Sequence, residues 1–170
     1  MIQPTPVAEK LLHQHLHKLE DMIDLDHIEQ ARVVCRKVFE REPVDELPYV
    51  LLDASGAADQ DWQVFEYNDR FYDPAKMLLA ELYEPFRHLQ LKDYYPMNAR
   101  CDYGTPIMPS IFGLTYRMME TVRPWTMHLE SRDDVRRLVD RGMPDLRTGL
   151  GGVCFSTASY YMEILKHYPR

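Results

Sequence analysis

The chain has 170 residues and a formal net charge of −7, and 45% of its residues are hydrophobic. This composition predicts a globular protein of one domain with a real core. The acidic balance argues against nucleic-acid binding, which needs a basic face. No run of about 20 apolar residues is present to cross a membrane. Three widely spaced cysteines without a CxxC pair, and the absence of a secretory signal, predict a reduced, cytoplasmic protein.

Two helices are predicted within the first forty residues, where apolar side chains recur at helical spacing. Asp26 and Glu29 form a capping-box pattern at the start of the second helix, and Pro43 ends it. We therefore expect residues 1–44 to form an N-terminal helical segment.

A strand, a helix and a second strand are predicted next. Residues 47–53 (LPYVLLD) are a continuous apolar run, which is typical of a strand buried on both faces. Asp73 and Pro74 are a strong helix start, with Asp as the N-cap and Pro at the first helical position. Residues 95–102 follow as the second strand candidate. A crossover of this length predicts a parallel βαβ unit, the first part of a larger covered sheet.

Apolar and polar side chains alternate along the second predicted strand. The apolar set is Met97, Ala99 and Cys101, and the polar set is Asn98, Arg100 and Asp102. In a parallel barrel the apolar face would meet the helices and the polar face would point into the lumen, where barrel enzymes carry their chemistry. A half-solvated strand in an unrelated α+β domain is the alternative.

Two aspartates end the predicted strands. If the strands are neighbours, Asp53 and Asp102 lie roughly 5 Å apart, and one of the two pKa values would be raised for use as a proton donor. Asp53 also fits simple turn chemistry, because Asp-Ala-Ser-Gly follows the strand. Arg100, two residues from Asp102 on the same face, would keep Asp102 ionised.

Two other patterns are weaker. His13 and His17 share a helix face, but the HExxH arrangement of a metalloprotease is missing, which favours a solvated helix face over a metal site. The glycine-rich stretch 149–155 lacks the GxGxxG spacing and the lysine of a phosphate loop, which favours a loop or a helix lead-in.

Several short stretches, taken in order, resemble the N-terminal part of the uroporphyrinogen decarboxylase-like superfamily, and more closely a bacterial branch of it. They are LPYVLLD, FYDPAKMLLAEL, NARCDYGTPIMPSIFG and PWTMHLESRDDVRRLVDRGMPDL, followed by a helix ending in HYP. The resemblance implies that residues 45–170 are the first part of a (β/α)8 TIM barrel of roughly twice this length. It also implies either a carboxy-lyase that decarboxylates tetrapyrrole acetate groups or a zinc methyltransferase acting on corrinoid proteins.

The same resemblance assigns a role to one residue, Asp102. Asp102 matches the position of the decarboxylase aspartate that holds pyrrole nitrogens, so it becomes the candidate catalytic residue. The expected contacts to a tetrapyrrole or corrinoid substrate are Asn98, Arg100, Tyr103 and Asp53. Where the decarboxylase carries arginines, this chain reads DASGAADQD, which lacks cations for a polycarboxylate. No metal ligand and no cofactor can be assigned.

A second hypothesis is a non-catalytic fragment or a small binding module that pairs with a partner chain. Two parallel strands outside a closed barrel leave two exposed edges, and exposed edges invite pairing, including self-association.

Overall fold

The structure is a computed structural model that describes residues 2–52, 61–119 and 122–168. It is mostly helical, with 55% helix and 3% strand. The described helices are α1 (Pro6–Met22), α2 (Leu25–Phe39), α3 (Tyr67–Phe71), α4 (Pro74–Leu91), α5 (Ile107–Ile111), α6 (Arg132–Asp140) and α7 (Gly149–Leu165). The described strands are β1 (Tyr116–Arg117) and β2 (Trp125–Thr126).

The core forms around α4, which packs against α1, α3 and α7. Asp73 is the N-cap of α4 and accepts hydrogen bonds from the backbone N of Ala75 and Lys76. Leu78 and Phe86 lie on the buried face of this helix. The predicted helix start at Asp73 is therefore confirmed, because a side-chain acceptor and a proline both favour the first turn.

The helix α7 begins at Gly149 and therefore includes the glycine-rich stretch 149–155. Its first turn contains Gly149 with φ +53°, and a Cβ there would come within 2.5 Å of the Ser110 carbonyl oxygen. The Oγ of Ser110 accepts a hydrogen bond from the backbone N of Leu150 at 2.9 Å. The glycine-rich stretch is thus a helix lead-in that lets α5 and α7 approach closely.

The predicted TIM barrel is wrong for this chain. Among the described residues, the regular strand structure is a single antiparallel ribbon of two residues per strand. A parallel barrel requires several strands covered by helices, and the structure instead packs helices on helices. The predicted domain 45–170 is therefore not the start of a barrel in this structure.

The first predicted strand is not formed in its described part, residues 47–52. Leu47 and Leu52 are 72% and 96% exposed, so the expected burial on both faces is wrong. One backbone hydrogen bond, from Tyr94 N to Tyr49 O at 3.0 Å, joins this run to the second predicted strand. A single bond does not make a ladder, and no described element covers either face, so the run stays irregular.

The second predicted strand, residues 95–102, is also irregular, although its alternation is real. The side chains of Met97, Ala99 and Cys101 are partly buried and pack against the helical core, as predicted. Asn98 and Arg100 are exposed to solvent instead of facing a lumen. The expectation that the polar face points inward is wrong because the chain forms no lumen in its described part.

Both N-terminal helices are confirmed, but α2 starts earlier than its capping-box pattern predicted. Its N-cap is Asp24, whose carboxylate accepts a hydrogen bond from His27 N at 3.1 Å. No helix in the described ranges is both long and apolar enough to cross a membrane.

Candidate functional site

Asp102, the predicted catalytic residue, is buried in the structure. Its Oδ2 accepts hydrogen bonds from Arg123 Nε at 3.3 Å and Nη2 at 3.0 Å. The backbone carbonyl of Asp102 accepts a third bond from the Tyr67 hydroxyl at 2.8 Å. The pairing with Asp102 raises the pKa of Arg123 above its usual value. The acid is thus held in place and already neutralised by a cation that the sequence reading missed.

A shallow cavity of 360 Å³ adjoins this ion pair. Arg100 lies on its wall and directs its Nε at the Glu81 Oε2, 3.2 Å away. The two arginines beside the cavity therefore each have a carboxylate partner within the protein. A polyanionic ligand would have to displace Glu81 or Asp102 to gain bidentate contacts here.

The remaining predicted site residues lie elsewhere. Tyr103 is fully buried, and its hydroxyl is 2.7 Å from the Thr157 Oγ1. Asn98 lines a different groove on the other side of the extended segment. Asp53 lies outside the described residues. Of the predicted substrate contacts that the structure describes, Arg100 lines a cavity together with Asp102, whereas Asn98 and Tyr103 do not.

The chemistry available near Asp102 is limited by burial. Burial raises the pKa of the Cys154 thiol to about 11, and it raises the pKa of Cys101 as well. Such thiols stay protonated near neutral pH and are poor nucleophiles. Within the described ranges, no three His, Cys, Asp or Glu side chains are arranged to hold a metal ion.

A groove of 420 Å³ runs between α2 and the segment after α4. It adjoins a second cavity of 200 Å³, with Ile28, Met97 and Asn98 on the wall of both. The polar groups of the groove are already engaged, since His27 Nε2 donates to the Asp93 carbonyl at 3.0 Å. Ligand pockets usually offer a few convergent polar groups to orient the ligand, and this groove offers few.

The residue Asp93 organises a buried junction that the sequence reading did not single out. Its carboxylate lies 2.7 Å from His88 Nδ1 and accepts hydrogen bonds from the backbone N of Leu51 and Tyr95. The His88 ring stacks on Tyr95 with parallel planes, 4.1 Å apart. The only sequence signal was a histidine and an aspartate flanking the end of a helix. The junction fixes the loops around α4 and leaves no group free for catalysis.

The ribbon formed by β1 and β2 carries exposed apolar side chains. Tyr116 pairs with Thr126 and Arg117 with Trp125. Met127 continues the ladder, since its backbone N donates to Thr115 O at 3.0 Å. The sequence signal for it is a period-two alternation of Trp125, Met127 and Leu129, which the sequence analysis did not identify as a strand.

The strand β1 pairs with one edge of β2. The opposite edge of β2, called here its outer edge, receives no ladder hydrogen bonds from β1. In an antiparallel pair, adjacent residues along a strand direct their backbone groups to opposite sides. Met127 bonds to Thr115, so strand geometry directs the N–H and C=O groups of Thr126 away from β1. The same alternation, continued past the end of β2 at Thr126, directs those of His128 to the same side. The side chains of Trp125, Met127 and Leu129 share one face and are 59%, 51% and 39% exposed. We call these three side chains and the two free backbone positions the ribbon edge.

Comparisons of the chain with protein-family models, with curated proteins and with solved structures find no match.

Proposed function

We propose that this chain functions by binding another polypeptide along the ribbon edge. The observation that carries the proposal is an edge of β2 that β1 leaves unpaired, combined with three large exposed apolar side chains on one face. An added strand gains main-chain hydrogen bonds from such an edge and packing from such a face. An exposed tryptophan is also among the residues most enriched at the energetic centre of protein interfaces.

The state of the other candidate regions supports this proposal over a catalytic one. Asp102 is paired with Arg123, the hydroxyl of Tyr103 is bonded inside the core, and the thiol of Cys154 has a raised pKa. These groups are engaged in holding the fold together. The ribbon edge, in contrast, presents backbone donors and acceptors with nothing from β1 bonded to them.

Site-specific photocrosslinking in the native cells tests the proposal. A benzophenone amino acid replaces Met127 in the full chain, and a matched chain carries it at Met162, a methionine on α7 that is 67% exposed against 51% for Met127. We expect a discrete covalent adduct with a polypeptide from position 127 and none from position 162. Equal adduct yields at the two positions, or no adduct at 127, would contradict the proposal.

Tetrapyrrole decarboxylation or corrinoid-linked methyl transfer stays a prediction that rests on the sequence resemblance. Incubating the purified chain with uroporphyrinogen and following the loss of acetate carboxyls by chromatography tests the first activity. If no acetate carboxyl is lost when chain and uroporphyrinogen are present in equal amounts, that assignment is removed. A cytoplasmic location belongs to the same set of proposals, and three free cysteines are compatible with a reducing compartment.

A further inference from the structure

The occupant of the ribbon edge can be argued from the edge itself. Its five residues, 125–129, contain no Lys, Arg, Asp or Glu, although the chain as a whole carries a net charge of −7. Two copies of an acidic chain repel each other over most of their surfaces. The ribbon edge is a strip on which two copies can approach without placing like charges opposite each other.

The backbone pattern of the edge is self-complementary. An antiparallel pair centred on Met127 places Thr126 opposite the partner's His128, and the two residues exchange both of their free backbone hydrogen bonds. Met127 then faces the partner's Met127 as a non-hydrogen-bonded pair, the type in which side chains lie closest. The same register satisfies all four free backbone groups on each copy.

The side chains fit the same register. Trp125 lies opposite the partner's Leu129 on the face that also holds the two methionines. Aromatic and aliphatic pairs directly opposite each other stabilise a sheet by roughly 0.2–1 kcal/mol per pair. Every exposed apolar side chain of the ribbon edge thus meets an apolar side chain, which an unrelated peptide would match only by chance.

The exposed surface of the chain leaves room for such an interface. The chain exposes 11643 Å², whereas a compact monomer of 20.1 kDa exposes about 8,700 Å². A stable interface of ordinary size covers about 800 Å² on each partner. The apolar side chains beyond the ribbon, such as Val139 and Met143 on and after α6, are 70% and 82% exposed and could extend the contact.

We propose that two copies of this chain associate through antiparallel pairing of residues 125–129, which joins two ribbons into one four-stranded sheet about a two-fold axis at Met127. This inference rests on the proposed function, because it names the polypeptide that binds the ribbon edge.

Sedimentation equilibrium of the full chain over a wide concentration range tests the association. Met127→Arg places two cations against each other at the axis, and Met162→Arg makes the same change on α7 as the matched control. We expect the wild type and the control to dimerise, and Met127→Arg to need at least ten-fold higher concentration. Circular dichroism checks that both variants keep the wild-type helix content.

Disulfide trapping tests the register. In the proposed pair the two Cα atoms at position 127 are about 4.5 Å apart, within the range that a disulfide spans. Under mild oxidation we expect Met127→Cys to give a covalent dimer, and Trp125→Cys and the wild type to give none. The wild type controls for the three native cysteines.

The possible outcomes separate the two proposals. A monomer at all concentrations, a dimer that Met127→Arg leaves unchanged, or trapping at position 125 but not at 127 would overturn the inference. If photocrosslinking at Met127 captures only a different polypeptide, the inference fails and the proposed function stands. If it captures nothing, both fail.

Discussion

The carboxylate of Asp73 joins the first turns of two helices, because it also binds Thr5, the N-cap of α1. Its Oδ2 accepts hydrogen bonds from the Thr5 backbone N at 3.0 Å and from the Thr5 Oγ1 at 2.7 Å. Its Oδ1 caps α4 through the backbone N of Ala75 and Lys76. Asp73 is 4% exposed, so one buried acid satisfies donors at two positive helix ends.

Replacing Asp73 should therefore destabilise the fold more than the loss of an ordinary cap. We expect Asp73→Ala to lower the free energy of unfolding by about 2–4 kcal/mol, because it removes a cap and leaves buried donors unsatisfied. Ser131→Ala, which removes the exposed cap of α6, is the matched control and should cost about 1 kcal/mol. Urea denaturation followed by circular dichroism measures both, and equal losses would contradict the double role.

Because α5 and α7 approach closely at Gly149, we expect a side chain at this position to destabilise the fold strongly. A Cβ at this position would lie 2.5 Å from the Ser110 carbonyl oxygen, which is backbone and cannot move aside easily. Gly142 has a similar positive φ of +72° with nothing within 4 Å, so it isolates the cost of backbone strain. We expect Gly142→Ala to cost about 1 kcal/mol and Gly149→Ala about 2–3 kcal/mol more. The difference between their urea midpoints is the measurement, and no difference would show that the helices can separate freely.

The ion pair of Asp102 and Arg123 is asymmetric, since their side chains are 9% and 55% exposed. Removing the arginine leaves a nearly buried carboxylate without its cation, whereas removing the charge on Asp102 leaves an arginine that water can solvate. We expect Arg123→Ala to destabilise the fold by about 1–3 kcal/mol and Asp102→Asn by less than half of that. Thermal unfolding of the two variants at pH 7 measures this order, and the reverse order would contradict the view that the buried carboxylate depends on Arg123 for its stability.

The tyrosines of the core predict a loss of stability at high pH. Burial raises the pKa of Tyr103 to about 12 and that of Tyr67 to about 12. The folded state therefore holds the phenolic protons more tightly than the unfolded state, in which the pKa is about 10. The stability from these neutral phenols is fully present below pH 10 and is lost as the pH rises toward 12.

A substitution separates this effect from general alkaline unfolding. We expect the free energy of unfolding of Tyr103→Phe to fall less between pH 10 and pH 12 than that of the wild type. Tyr72→Phe, at a tyrosine that is 57% exposed, is the matched control and should follow the wild type. Urea titrations at several pH values give the slope of the free energy of unfolding against pH. Identical slopes for all three chains would contradict a contribution of the Tyr103 phenol to this loss of stability.

Local sequence signals determined the starts of α4 and α6. Asp73 followed by Pro74 fixed the start of α4, and Ser131 with Asp134 forms the capping box at the start of α6. These features depend on residues two or three positions apart, whose hydrogen bonds form without help from the rest of the chain. The alternation in residues 95–102 also correctly predicted which side chains would meet the core.

Only the tertiary structure decided what the predicted strands become. The run 47–52 has the composition of a buried strand, but a buried strand forms only when a neighbouring strand pairs with it and other elements cover its faces. In the described part of the chain those neighbours are missing, and Asp93 captures the Leu51 backbone N with its side chain instead. The pairing of Asp102 with Arg123 and the free edge of β2 are likewise contacts between distant segments. Sequence spacing alone does not determine such contacts, because they depend on where packing places each segment.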